Sequence, residues 1–326
     1  MSDELDVVVV GGGWAGCRHI EALVGTGRAR VSLVESDSAA RAKALTQYPI
    51  KRAYVTWQEA LRERWDGAVV AIPAHLHLDV GRQFTSRGIP LLLEKPVAVQ
   101  EEGVGNWIDE IESTGVFVSV GFVLRYHPAL LAARDHLGSG QLGRPVELVV
   151  RRGAHLPARR ADYATSYYSR VEDGGGVVQD ILSHAYNSAE WLLGPIEVTA
   201  ADAEHLVLEG TSVHDTVHVI GRHGSVLASY VVNQHQRVPE FTLDVHCTNG
   251  SVRVDFVEGG WLTTGAPDEP WKANSSPSQA ADNFSRQAIE FVDGIAGRAM
   301  PRCSLRDGAA TLRAVRSTLA RLNSKS

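Results

Sequence analysis

The chain has 326 residues, 44% of them apolar and 21% charged, and carries a formal net charge of −6. That is long enough for two domains with proper cores and leaves little room for a long disordered region. The negative balance, with no basic tract, argues against a protein that binds nucleic acid by neutralising phosphates, and no run of about 18 apolar residues offers a transmembrane helix.

The start, Met1 to Asp6, is acidic where a secretory signal would be basic. Cys17, Cys247 and Cys303 are widely separated and form neither a metal-ligand spacing nor a disulfide framework. A cytoplasmic protein without a metal is expected.

Val7 to Val10 is a buried-type strand that breaks into Gly11-Gly12-Gly13-Trp14-Ala15-Gly16 and is followed by a helical stretch from Cys17. Gly11, Gly13 and Gly16 match the G-x-G-x-x-G spacing of a dinucleotide-binding turn. In such a turn the first glycine permits the bend, the second lets the backbone approach a pyrophosphate, and the third lets helix and strand pack closely. Trp14 and Ala15 belong to the same cofactor loop. The next apolar run, Val31 to Val34, ends in Glu35, close to the spacing at which an acid holds an adenosine ribose. A carboxylate there repels a 2′-phosphate, so NAD is expected rather than NADP.

Further along, helices are expected over 39–45 and 58–62, the latter capped by Thr56. Strands over 66–72, 89–93 and 116–122 alternate with helices over 75–87 and 101–113. Alternation of this kind predicts a parallel, doubly wound α/β sheet. The first domain is expected to span 1–122 and a second, α+β domain 123–326. In that second domain a helix (128–137) and a strand (146–152) precede a glycine turn and helix over 174–193. Consecutive strand-like runs at 196–208, 212–221, 225–234, 238–247 and 251–257 then read as a large antiparallel sheet. Their alternation predicts one face open to solvent or a partner subunit. Residues 264–280 read as a loop, and 283–295 and 304–322 as closing helices.

Several separate motifs occur in one order. They are the glycine loop, Ala71-Ile72-Pro73-Ala74-His75-Leu76-His77, Glu94-Lys95-Pro96, Gly121 to Tyr126, and Gly174-Gly175-Gly176 leading to Asp180-x-x-x-His184. In this the chain resembles the Gfo/Idh/MocA oxidoreductases, the glucose–fructose oxidoreductase and inositol dehydrogenase family, over nearly its whole length. Residues 155–163 and 190–194 look most like members found with surface-sugar or nucleotide-sugar pathways. The resemblance implies hydride transfer between a nicotinamide and a secondary alcohol or ketone on a sugar, amino sugar, sugar nucleotide or cyclitol. It also implies a homodimer or homotetramer built through the open sheet.

Such a reaction needs a group to move the hydroxyl proton, and an imidazole titrates in the right range. His184 is the candidate acid/base, with Asp180 four residues earlier on the same helical face to hold a substrate hydroxyl or orient the ring. A plain surface pair is the alternative. Lys95, at the carboxyl end of a parallel strand, would polarise the reacting oxygen. Glu94, Pro73, His77 and Arg125 are candidates for cofactor contact, and Tyr126, Tyr163, Tyr168 and Gln179 for substrate contact. His77 reads equally as helix packing, and Arg125 and Tyr126 equally as a packed hinge. Where the family often carries a further acid three residues past the histidine, this chain has Asn187. Some relatives use bound NAD internally for glycoside cleavage, and a non-catalytic NAD sensor could share the fold. Retention of Lys95, Asp180 and His184 counts against the sensor.

Overall fold

The computed structural model describes residues 4–274 and 282–324, which divide into two compact units. The first comprises residues 4–123 and 282–309. Its six strands are β1 (Leu5–Val10), β2 (Ala29–Val34), β3 (Ile50–Tyr54), β4 (Gly67–Val70), β5 (Leu91–Leu93) and β6 (Val118–Val120). They pair in parallel in the order β3-β2-β1-β4-β5-β6. Strands buried on both faces read as unbroken apolar runs, which is why Val7–Val10 and Leu91–Leu93 stand out in the sequence. The strand order reverses between β1 and β4, and that switch point is where open α/β sheets bind ligands.

The helix expected over 58–62 is shorter, Trp57–Ala60, and Thr56 with Glu59 forms its capping box. A single boundary at 122 misplaces the helix Asn283–Ile295, which packs in the first unit. Its Ala288, Phe291 and Val292 are buried in one apolar cluster with Val7, Ile20 and Leu33. Burying a side chain such as Phe291 contributes about 1.5–3 kcal/mol. An amphipathic helix docks wherever its apolar face is covered, and distance along the chain does not announce the place.

The second unit comprises residues 124–274 and 310–324. Its sheet consists of β7 (Pro145–His155), β8 (Ile196–Glu204), β9 (Thr216–His223), β10 (Val226–Asn233), β11 (His235–Cys247), β12 (Gly250–Asp255), β13 (Gly260–Thr264) and β14 (Lys272–Asn274). The order is β14-β13-β12-β11-β7-β10-β9-β8, antiparallel throughout except for the central β7–β10 pair. That parallel pair joins strands far apart in the chain, so no hairpin signal marks it. Part of the loop expected over 264–280 is instead strand, β14, while 275–280 lie outside the described residues. One face of the sheet packs on the helices Pro128–Gly138 and Ser183–Leu193 through Leu130, Ala133, Ala185, Tyr186 and Ala189. The other face carries the alternate residues His218, Ile220, Arg222 and Leu227, which are exposed.

Among the described residues no helix is long and apolar enough to cross a membrane. Nor does any group of three or more His, Cys, Asp and Glu side chains among them suit a metal ion.

Candidate active site

In the first unit β1 gives way to Gly11, whose φ of +103° lies where side chains are disfavoured. A Cβ at Gly16 would fall 1.9 Å from the Gly11 carbonyl oxygen, so only glycine lets the helix Trp14–Gly25 start this close to the strand. Gly13 differs: the position of its missing Cβ has no atom within 4 Å. It caps the helix with no side-chain hydrogen bond, which leaves the first-turn N–H groups and the positive helix end open for an anion. Trp14 projects beside them, 71% exposed. Glu35 is drawn onto this loop, its Oε2 accepting from the Gly12 N–H at 2.7 Å and its Oε1 from the Asp37 N–H at 2.8 Å. The open cradle at Gly13 and the neighbouring carboxylate fit an adenine dinucleotide with a free 2′-hydroxyl. Glu35→Ala should therefore relax the preference for NAD over NADP by at least about tenfold. Paired Kd measurements for the two cofactors check this, and an unchanged ratio would mean the ribose is held by other groups.

Pro73 follows β4 and caps a short turn, Ala74–Leu76. His77 is buried, with Nδ1 2.7 Å from the Pro96 carbonyl and Nε2 2.8 Å from the Ile72 carbonyl. Both ring nitrogens are thus engaged by backbone, and the expectation that His77 touches cofactor is corrected. It ties the end of β4 to the turn that follows Lys95, and burial lowers its pKa despite the two carbonyls.

Glu94 is buried too. Its Oε1 lies 2.8 Å from His19 Nε2 and its Oε2 accepts from the Lys95 N–H at 3.0 Å. Burial alone would raise this carboxyl; the His19 hydrogen bond and charge, with Lys95, bring it below the ordinary range. Glu94 accordingly holds the backbone of half-buried Lys95, rather than standing open to a ligand. Nothing in the sequence singles out His19, a lone histidine among the apolar residues of an amphipathic helix.

In the second unit Gly175 brings the glycine turn onto the preceding segment, since a Cβ there would lie 2.3 Å from the Tyr168 carbonyl oxygen. The helix expected over 174–193 begins as a π-helix, Val177–Leu182, and continues as the α-helix Ser183–Leu193. Asp180 therefore sits in a widened turn, a feature common at functional sites, with half-buried His184 on the turn that follows. Asp180 is buried and accepts the Tyr167 hydroxyl at 3.1 Å.

Several expected substrate contacts are corrected here. Tyr168 is fully buried with Leu156, Leu208 and Val213. Successive side chains of the 3₁₀ turn Tyr167–Ser169 point apart, so Tyr167, which the sequence did not single out, is the tyrosine that meets Asp180. Gln179 is spent on the Val171 carbonyl at 2.6 Å. Tyr163 donates to the Glu209 carbonyl at 2.7 Å, and Tyr126 is wholly buried.

Arg125 is likewise buried rather than presented to cofactor, its Nε donating to Asn187 Oδ1 at 2.8 Å. Asn187 donates onward to Thr311 at 3.0 Å, and the Thr311 hydroxyl donates to Glu190 at 2.5 Å. Burial pushes the Glu190 carboxyl up to about 7. Between the ordinary glutamate range and pH 7 the folded chain thus holds a proton that the unfolded chain has lost. Stability should fall across that window as pH rises, by about 3 kcal/mol in all. Glu190→Gln should flatten the trend, as denaturation midpoints at pH 5 and 8 will show. Equal slopes in parent and variant would place the ionisation elsewhere.

A parallel sheet in the order 3-2-1-4-5-6, with an open glycine cradle and an acid at the end of its second strand, defines a nicotinamide-dinucleotide-binding Rossmann unit. Residues 5–122 match the family model for the oxidoreductase family with an NAD-binding Rossmann fold, and residues 130–253 match the GFO/IDH/MocA C-terminal domain. The chain belongs to the Gfo/Idh/MocA family of NAD-binding oxidoreductases. It is similar to inositol 2-dehydrogenase of Rhizobium meliloti (strain 1021), at 26% identity over 76% of this chain and 74% of that protein. In fold it is similar to levoglucosan dehydrogenase in complex with NADH and levoglucosan, with a TM-score of 0.89, 19% identity and coverage of 99% of this chain and 98% of that one. It also matches UDP-N-acetylglucosamine 3-dehydrogenase from Acidithiobacillus ferrooxidans, with a TM-score of 0.81, 18% identity and 98% of each chain covered.

Proposed function

We propose that the protein is an NAD-dependent dehydrogenase that moves a hydride between the nicotinamide and a secondary alcohol or ketone on a polyhydroxylated ring. The observation that carries this reading is the buried Asp180, fixed by Tyr167 in a π-turn immediately ahead of His184. A carboxylate and an imidazole so placed suit the binding and deprotonation of a hydroxyl. NAD supplies the hydride acceptor. Glu35, Gly11, Gly13 and Gly16 hold the dinucleotide, with Trp14, Ala15 and Pro73 beside it. Lys95, its backbone held by Glu94, polarises the reacting oxygen and favours its alkoxide character. His184 takes or returns the hydroxyl proton, and Asp180 orients the hydroxyl. Support for a ring substrate comes from the relatives named for inositol, levoglucosan and UDP-N-acetylglucosamine.

Absorbance at the NADH band, followed with NAD across sugars, sugar nucleotides and cyclitols, tests the reading. A sustained rise with one class supports it and names the class. Cleavage of a glycoside with no net NADH would replace it by an internal redox cycle. The same proposal includes a homodimer or homotetramer formed through the outer face of the second unit's sheet, where Ile220 and Leu227 stand 53% and 46% exposed. Sedimentation of the parent and of Ile220→Lys reads this directly, and a monomeric parent would overturn it.

A further inference from the structure

Two arginines flank Asp180, and the chemistry proposed above uses neither. Arg152, on β7, donates from Nη1 to the carbonyl of Ile181 at 2.9 Å, one residue beyond Asp180, and lies over the Phe241 ring at 4.6 Å. Arg160 lies over the ring of Tyr167 at 5.1 Å, and it is the Tyr167 hydroxyl that Asp180 accepts. Neither guanidinium has a carboxylate within 4.0 Å among the described residues. Arg160 Nη1 and the hydroxyl of fully buried Tyr168 are both shut off from solvent with no hydrogen-bond partner.

Cations withdrawn from water without an adjacent counter-charge are costly to keep. Burial brings Arg152 down to about 10, against the opposing pull of Asp180. Asp162 also acts on Arg160 and Arg159 on Arg152, so three guanidinium groups share two carboxylates and a net positive charge remains. Both arginines remain partly exposed. Planar forks of this kind match a carboxylate or a phosphate better than a hydroxyl.

We propose that the second unit binds an anionic sugar, with Arg152 and Arg160 holding its carboxylate or phosphate while Asp180 holds a hydroxyl. This rests on the reading of Asp180 as a substrate group.

The test compares D-glucose, D-glucuronate, D-glucose 1-phosphate and D-glucose 6-phosphate. Calorimetric binding and NADH formation are measured for the parent, Arg160→Gln, Arg152→Gln and Arg152→Lys, with thermal melts to confirm folding. The parent should bind at least one anion about tenfold or more tighter than glucose. Arg160→Gln should weaken that anion about 10- to 100-fold, and at least tenfold more than it weakens glucose, chiefly through KM. Arg152→Lys should restore part of what Arg152→Gln loses. Preference for glucuronate makes the oxyanion a carboxylate, and preference for a phosphate ester makes it a phosphate; either supports the proposal. No preference for an anion, or equal losses for anion and neutral sugar, overturns it and leaves the arginines serving Asp180 alone. Anion binding that falls in Arg160→Gln without NADH formation by any sugar would retain this proposal while removing the dehydrogenase reading.

Discussion

His184→Ala should lower kcat by about two to four orders of magnitude, the usual range for a lost general acid/base, while NADH binding stays within about threefold of the parent. The side chain stands half-buried just past the π-turn that carries Asp180, in the unit that does not hold the glycine loop. Removing an imidazole there takes away the proposed proton acceptor and leaves the dinucleotide cradle as it is. Steady-state rates with the substrate found in the NADH panel, beside a fluorescence titration with NADH, separate the two effects. The pH profile adds a second readout, because the limb belonging to the imidazole should vanish with it. Unchanged turnover would exclude His184 as the acid/base, and an equal loss of NADH affinity would show the variant to be misfolded.

The largest effect on cofactor binding should come from a pair of glycines that look alike in the sequence. Gly16→Ala places a methyl 1.9 Å from a backbone carbonyl oxygen that cannot swing aside, so strand and helix must part. A loss of about 1–3 kcal/mol of stability, or more, is expected even without cofactor. Gly13→Ala meets no atom within 4 Å, so the melting temperature of the cofactor-free protein should barely move. Its methyl would instead occupy the space that lets the pyrophosphate approach, and NAD affinity should fall at least about tenfold. Melting curves with and without NAD distinguish the two variants in one experiment. Parent-like NAD affinity in Gly13→Ala would mean that the dinucleotide does not pass over this residue.

The positioning residues are not legible in the sequence. His19 and Arg160 contribute through contacts with Glu94 and with the Tyr167 ring, and those partners lie 75 and 7 residues away in the chain. Neither stands in a motif. Tyr168 stands before the glycine turn and Gln179 beside Asp180, yet closeness in sequence is not closeness of side chains in a 3₁₀ or π turn: Tyr168 is fully buried and Gln179 donates to the Val171 carbonyl. Arg125 and Tyr126, which follow the last strand of a ligand-binding sheet, read equally as ligand contacts and as a packed hinge, and both are buried.

The sequence by itself determined the Rossmann unit, its glycine cradle and the acid at the end of the second strand. Those features depend on local backbone geometry: apolar runs that only a doubly covered strand can use, and glycines where the chain must bend or be approached. It also marked Lys95, Asp180 and His184 as residue types suited to the chemistry. Tertiary structure alone decided which side chains surround them, that Asn283–Ile295 returns to the first unit, and that β7 pairs in parallel with β10. Each of these depends on which apolar face or polar partner a distant segment offers, and that is settled only when the chain closes on itself.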